Sequence, residues 1–198
     1  MHRLDAITTA LARLASDPVT ADDQPRAAVA AIFREVPGSE VADLFFIRRA
    51  EHPNDPWSGH IAFPGGRRDP GDTTLLATAM RETLEEVGID LARAELLGRL
   101  PDVPSFSRSK RANLIVTPFV FALRDEVDVA PNVEVAGTLW VPLRTLHEGA
   151  GKETFAYTWE GKTYDLPCIR LGPEKHVLWG MTYRMLETLL EALQSKRA

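Results

Sequence analysis

Three glutamates, Glu82, Glu85 and Glu86, crowd the short stretch ETLEE, just downstream of the glycine- and proline-rich segment FPGGRRDPGD. Carboxylates at this spacing repel one another, so a solvated helix gains little by stacking them. The bland alternative is a wet acidic stripe, and two features weigh against it. Glu85 and Glu86 fall in the last turn before Gly88, where the helix dipole disfavours negative charge. Arg81, four residues before Glu85, can hold a carboxylate in place but cannot neutralise three. A hard divalent cation can: Mg²⁺, or Mn²⁺ in its place, takes carboxylate oxygens and bridges to substrate phosphates. Gly65 and Gly66 supply the complementary half, because a Gly-Gly pair lets backbone N–H groups come close to an anion. Loop amides for phosphate beside carboxylates for metal describe a site for a metal-bound diphosphate.

The surrounding pattern predicts the elements that position these groups. Residues 72–88 read as a helix, opened by Asp72 as N-cap and stopped by Gly88 as C-cap. Leu75, Leu76, Ala79, Met80, Leu84 and Val87 are its expected buried side, with Glu82 and Glu86 on one stripe and Glu85 beside them. Upstream, RAAVAAIFREV and EVADLFFIRRA read as a strand pair, EHPNDPWSG as a loop and HIAF as a short strand. Downstream, AELLGRLPDV, NLIVTPFVFAL and EVAGTLWVPL read as strands, and TFAYTWEGKTYDLPCIRL as a hairpin about Glu160-Gly161. An amphipathic N-terminal helix ending near Asp17-Pro18 and a C-terminal helix in VLWGMTYRMLETLLEALQSKRA, basic in its last turn, complete the chain. Helices at both ends and in the middle of a strand-rich chain imply an α/β (α+β) fold, a mixed sheet covered on both faces.

At 198 residues, 44% hydrophobic and 26% charged, the chain fits one compact domain with small additions at its ends. An N-terminal helix and linker over 1–24 precede a main domain over 25–198 that includes the C-terminal helix. A formal charge of −5 and a pI near 5.6 weigh against a broad nucleic-acid-binding surface. The single cysteine, Cys168, allows no intrachain disulfide and no cysteine-rich zinc site; it reads as a small buried residue in a reducing, cytoplasmic setting. No apolar run approaches the roughly 20 residues of a membrane span. Nothing in the sequence fixes an oligomeric state.

The stretch GGRRDPGDTTLLATAMRETLEEVGI resembles the signature of the Nudix hydrolases. The second half of that signature is met at Arg81, Glu82, Glu85, Glu86, Gly88 and Ile89, with Thr83 where an apolar residue is usual. The first half departs: across five intervening residues from Gly66 stands Asp72 instead of a glutamate, and eight residues instead of seven separate it from Arg81. The resemblance implies an α/β/α sandwich with a mixed central sheet, and it implies that the missing glutamate mainly braces the loop against the helix. It further implies a reaction in which water, activated near Mg²⁺, attacks a phosphorus of a nucleoside diphosphate linked to another group. Glu82 and Glu86 become the leading metal ligands, Glu85 a ligand or the general base, and Arg81 a member of the catalytic group.

IRRAEHPNDPWSGHIAFPGG and HVLWGMTYRMLETLL are similar to the branch of the family that includes coenzyme A diphosphatases. Of that branch's Arg-Ser and His-x-Gly-Gln groups, only Arg49 and Gly59 are kept, with Ala50, Trp57 and His60 at the altered positions. Coenzyme A is therefore one candidate among small-molecule substrates that include other dinucleotides, nucleotide sugars and nucleoside triphosphates. Since neighbours on a strand alternate, at most one of Arg48 and Arg49 is expected to face the site, and the resemblance favours Arg49. His60 either touches substrate or packs beside its strand. SRSKRAN, with Arg108, Lys110 and Arg111, is either a phosphate-binding loop or a solvated one, and Glu134 is a candidate to approach the metal from another loop. Trp57, Trp140, Trp159 and Trp179 read as packing residues before base-stacking ones. The competing functional class is a Nudix-like module that binds a nucleotide without cleaving it; an RNA-processing role is weakened by the acidic balance.

Overall fold

The computed structural model describes residues 4–11, 25–52, 58–105, 114–149, 151–159 and 161–194. The run RAAVAAIFR forms strand β1 (Arg26–Arg34) in the middle of the main sheet. Ala28, Ala30 and Ile32 enter one core cluster while Ala27, Ala31 and Phe33 enter another. Both faces are covered, which is why the run shows no polar alternation. β1 lies parallel to β7 (Ile115–Leu123) in unbroken register from Arg26↔Ile115 to Arg34↔Leu123. The other pairings of this sheet are antiparallel. On the far side of β1 lies β2 (Asp43–Arg49), which pairs with both β3 (Ile61–Ala62) and β8 (Val135–Pro142). β4 (Gly65–Arg67) pairs with the start of β1, and β5 (Glu95–Arg99) and β6 (Val103–Pro104) pair with β7.

Helix α2 (Leu75–Val87) covers one face, burying Leu75, Ala79 and Val87 against Ile32, Phe45 and Phe121. Helices α1 (Leu4–Leu11) and α4 (Gly180–Gln194) cover the other, where Leu4, Ile7 and Leu11 share a cluster with Leu186 and Leu189. The result is an α/β/α sandwich around a mixed sheet. Helix α3 (Leu143–His147) follows β8. A second, antiparallel sheet of β9 (Lys152–Trp159), β10 (Lys162–Leu171) and β11 (His176–Trp179) turns Ile169, Leu171 and Leu178 into the α4-side core. Among the described residues no helix is long and apolar enough to cross a membrane.

Several local expectations are corrected. Gly65–Arg67 is a strand where a loop was expected, and the C-terminal helix begins at Gly180, because Val177–Trp179 pairs with β10 as a strand edge. Helix α3 carries no strong signal in its five residues and was not anticipated. On α2, Leu84 is half exposed while Thr78 and Thr83 are fully buried. The two threonines tolerate burial because each hydroxyl has an acceptor: Thr83 donates to Ala79 O at 2.7 Å, and Thr78 to an Asp72 carboxylate oxygen at 2.9 Å. Asp17-Pro18 and the basic residues after Gln194 lie outside the described residues.

Candidate active site

Helix α2 is pinned at both ends. Its N-cap is Thr74, whose hydroxyl accepts from the Ala77 N–H at 3.0 Å. Its C-cap is Gly88, at φ +73, donating to Leu84 O at 3.0 Å, as a left-handed glycine cap should. Asp72 is thus not the cap that the sequence suggested. It turns inward instead, and its two oxygens accept from Arg81 Nε and Nη2, Thr78 Oγ1 and Asp69 N, all at 2.9 Å. The two-pronged bond from Arg81 holds the Asp72 carboxyl well below the usual carboxylate range despite its burial. Asp72 stands in the loop and Arg81 on the helix, so the pair ties one to the other.

Arg81 does more than hold Asp72. It also reaches Glu82 at 3.0 Å, Glu85 at 2.9 Å and the Arg67 carbonyl at 3.2 Å. The bond to Asp72 first, and then Glu82, hold its own pKa above the ordinary arginine value. One guanidinium therefore joins the loop, strand β4 and three carboxylates.

Glu86 is 3% exposed and faces the sheet. Its carboxylate accepts from the Gly65 N–H at 2.8 Å. The anion met by this glycine N–H is thus the protein's own glutamate, not an open place for a ligand. A Cβ at Gly65, at φ +145, would run into the Ala28 carbonyl oxygen, and one at Gly66 would lie 2.5 Å from the Glu82 carboxylate. The glycine pair is what lets β4 sit flat on β1 while the glutamates lie over it. Burial pushes the Glu86 carboxyl up to about 7; the Gly65 N–H and Arg49 oppose the shift, and Glu82 and Glu134 add to it. Glu82 is raised for the same first reason, with Arg81 opposing and Glu85 and Glu134 adding.

Glu134 comes from the loop before β8. That loop closes over the end of α2, the Ala130 N–H donating to Val87 O at 2.9 Å and the Asn132 N–H to Glu86 O at 2.8 Å. The Ala50 N–H, just past β2, donates to Glu134 O at 2.7 Å. Three backbone hydrogen bonds thus set Glu134 where its charge acts on Glu82 and Glu86. Arg49 lies across a bulge in the β2–β8 pairing, near enough to Glu86 for its charge to lower that carboxyl, whereas Arg48 reaches the Ala136 carbonyl at 3.4 Å. Of the two arginines, Arg49 is the one whose charge acts on Glu86.

The His60 carbonyl accepts from the Arg49 N–H at 3.0 Å, and the His60 ring lies edge-on to Trp179 with centroids 4.8 Å apart. Glu85 is half exposed and held by Arg81. Arg108 and the rest of SRSKRAN lie outside the described residues.

The fit to a divalent cation can be judged from the donors. A buried carboxylate whose charge is disfavoured, with two more carboxylates adding repulsion, suits a hard cation. Among the described residues, however, no three acidic, histidine or cysteine side chains converge closely enough to close on one ion as they stand. Glu82 is turned to Arg81 in this arrangement.

Comparison with known proteins places this geometry. The sandwich superposes on a MutT/nudix family protein from Enterococcus faecalis over 97% of this chain and 73% of that one, with a TM-score of 0.55 at 15% identity, a likeness of fold. A model of the NUDIX domain matches residues 24–162. An uncharacterized Nudix hydrolase NudL from Photorhabdus laumondii is 31% identical over 147 residues, which are 69% of this chain and 70% of the relative. Nudix hydrolase 3 from Caenorhabditis elegans is 38% identical over 102 residues, 49% of this chain and 40% of its own length. The chain belongs to the Nudix hydrolase family. It is a hydrolase of phosphorus anhydrides, of a class that acts on nucleoside diphosphate derivatives and uses a divalent metal ion.

Proposed function

We propose that this chain is a Mg²⁺-dependent pyrophosphohydrolase that cleaves the diphosphate linkage of a nucleoside diphosphate derivative, with coenzyme A or a related dinucleotide as the first substrate to test. The observation that carries the reading is the buried Glu86 carboxylate, held by the Gly65 N–H and close enough to Glu82 and Glu134 for their charges to act on it. Glu82 and Glu86 would hold the ion, with Glu134 approaching from the opposite loop. Bound there, Mg²⁺ neutralises charge on the diphosphate and lowers the pKa of a water. Glu85 is the carboxylate left over on the same helix face, and it takes the proton as the water attacks phosphorus. The bond from that phosphorus to the bridging oxygen breaks, and each product leaves with one phosphate group of the former diphosphate. Arg81 keeps the helix, loop and strand in register, and Arg49 adds positive charge beside the reacting phosphates. Arg49 and Gly59 are the positions kept from the coenzyme A diphosphatase-like branch, with Ala50, Trp57 and His60 altered, so coenzyme A stands as one candidate beside other dinucleotides, nucleotide sugars and nucleoside triphosphates.

A product-resolved screen across coenzyme A, dinucleotides, nucleotide sugars and nucleoside triphosphates, with Mg²⁺ and with a chelator, tests the proposal. Phosphorylated pantetheine and an adenosine bisphosphate are the expected products from coenzyme A. Rapid cleavage of a nucleotide sugar with coenzyme A untouched would move the substrate, and no metal-dependent hydrolysis of any compound would favour a nucleotide-binding module.

A further inference from the structure

The second sheet has two unlike faces. Ile169, Leu171 and Leu178 fill the core on the α4 side. The opposite face carries Phe155, Tyr157 and Trp179, each only half-buried. Their rings lie together: Trp179 is 4.7 Å from Tyr157 and 5.1 Å from Phe155 between centroids, tilted at 43° and 68°. Cross-strand ring pairs steady a hairpin, but the cluster does not end at the hairpin. The His60 ring closes on Trp179, and the His60 carbonyl takes the N–H of Arg49, the arginine beside Glu86. Through His60 the aromatic cluster therefore abuts the backbone of the strand end that carries Arg49.

Resting on the hydrolase reading above, we infer that this aromatic face, centred on Trp179 and Tyr157, is the platform on which the planar base of the substrate stacks while its diphosphate lies at Arg49 and the glutamates. The occupant follows from the chemistry. A nucleoside diphosphate derivative presents a flat heteroaromatic ring a sugar's length from its phosphates, and half-exposed indole and phenol rings attract such a ring by stacking.

The test uses AMP and ribose 5-phosphate, which share a phosphate and a sugar and differ in the base. Neither contains a diphosphate, so binding with Mg²⁺ present is read without turnover, by calorimetry and by quenching of tryptophan emission. In the parent, AMP should bind about fivefold or more tightly than ribose 5-phosphate. Trp179→Leu should bring the two affinities within about twofold while leaving ribose 5-phosphate binding unchanged, and Trp179→Phe should restore most of the preference. Should Trp179→Leu fail to fold by circular dichroism, Tyr157→Leu is read in its place, with a partial loss of the preference expected. Equal binding of the two probes by the parent overturns the inference, as does a preference that survives in the leucine variants. The hydrolysis screen fails separately: a base preference without hydrolysis of any compound keeps the platform and removes the enzyme reading, and hydrolysis without a base preference does the reverse.

Discussion

Glu86 holds a carboxylate where a charge is disfavoured, and that has a sign in both stability and turnover. Burial raises its folded pKa to about 7, above the ordinary carboxyl value of 4.5. Between those values the folded, metal-free protein keeps a proton that the unfolded chain has released, so stability is greatest below the lower value and falls as pH rises through the upper one. The loss should be on the order of 2–3 kcal/mol. Urea unfolding in chelator at pH 5 and pH 8 should show it in the parent and not in Glu86→Gln. The same variant should lose turnover by at least about 10–100-fold under saturating Mg²⁺, the scale on which even supporting groups of a metal site act. Full turnover in a folded Glu86→Gln protein would remove Glu86 from the site. Asp72 and Thr74 make a second contrast. Asp72→Ala removes the buried carboxylate that accepts four hydrogen bonds and ties the loop to Arg81, which should cost about 2–4 kcal/mol, whereas Thr74→Ala loses only a cap, about 0.5–2 kcal/mol. Equal melting losses in the two would show that Asp72 is not the brace its four hydrogen bonds make it.

At the scale of elements, the strands that bury both faces, β1, β2 and β7, were legible because long branched and aromatic runs admit little else. The body of α2 was legible from its apolar spacing and from Gly88. Its start was not, because Asp72, Thr73 and Thr74 are all good caps in a row. What chooses among them is Arg81, nine positions after Asp72, which takes Asp72 for itself and leaves the cap to Thr74. Strand β4 was invisible for a related reason. Gly-Gly has no strand preference of its own, and its pairing with β1 depends on the absence of a side chain and on the Gly65 bond to Glu86. Within the site, the clustering of the glutamates with Arg81 was legible from residue type and spacing and Arg49 came only from the family resemblance, while the place of Glu134 beside them depends on a loop that closes over the end of α2. Gly65→Ala tests this joint. A methyl group aimed at the Ala28 carbonyl, on a backbone at φ +145, should cost about 3 kcal/mol or more. Turnover should fall with it, because the strand that carries the Glu86 partner is displaced. A variant that melts and turns over like the parent would mean that β4 does not hold the helix in place.

Across the whole molecule, the sandwich separates two jobs. The α2 face holds the carboxylates, and the α1–α4 face closes the sheet from behind. Helix α1 has eight residues, too few to be stable alone in water. It persists because Leu4 and Ile7 are fully buried and Leu11 nearly so, in the same cluster as Leu186 and Leu189 of α4. On its outer side Asp5 and Glu95 share Arg124, which adds little because the group is exposed. Packing, not charge, should therefore decide how firmly α1 is attached. Ile7→Ala removes a fully buried side chain and should cost about 2–5 kcal/mol. In a chain of this length that lowers the melting temperature by roughly 5–15 °C. Because the sheet stands between α1 and the carboxylates, turnover at 25 °C should stay within about twofold of the parent for as long as the variant is folded. A melt unchanged by Ile7→Ala would mean that α1 contributes nothing to the core it occupies. A folded variant that has lost turnover would mean instead that the rear face of the sandwich communicates with the site through the sheet, and the separation of the two faces would fail.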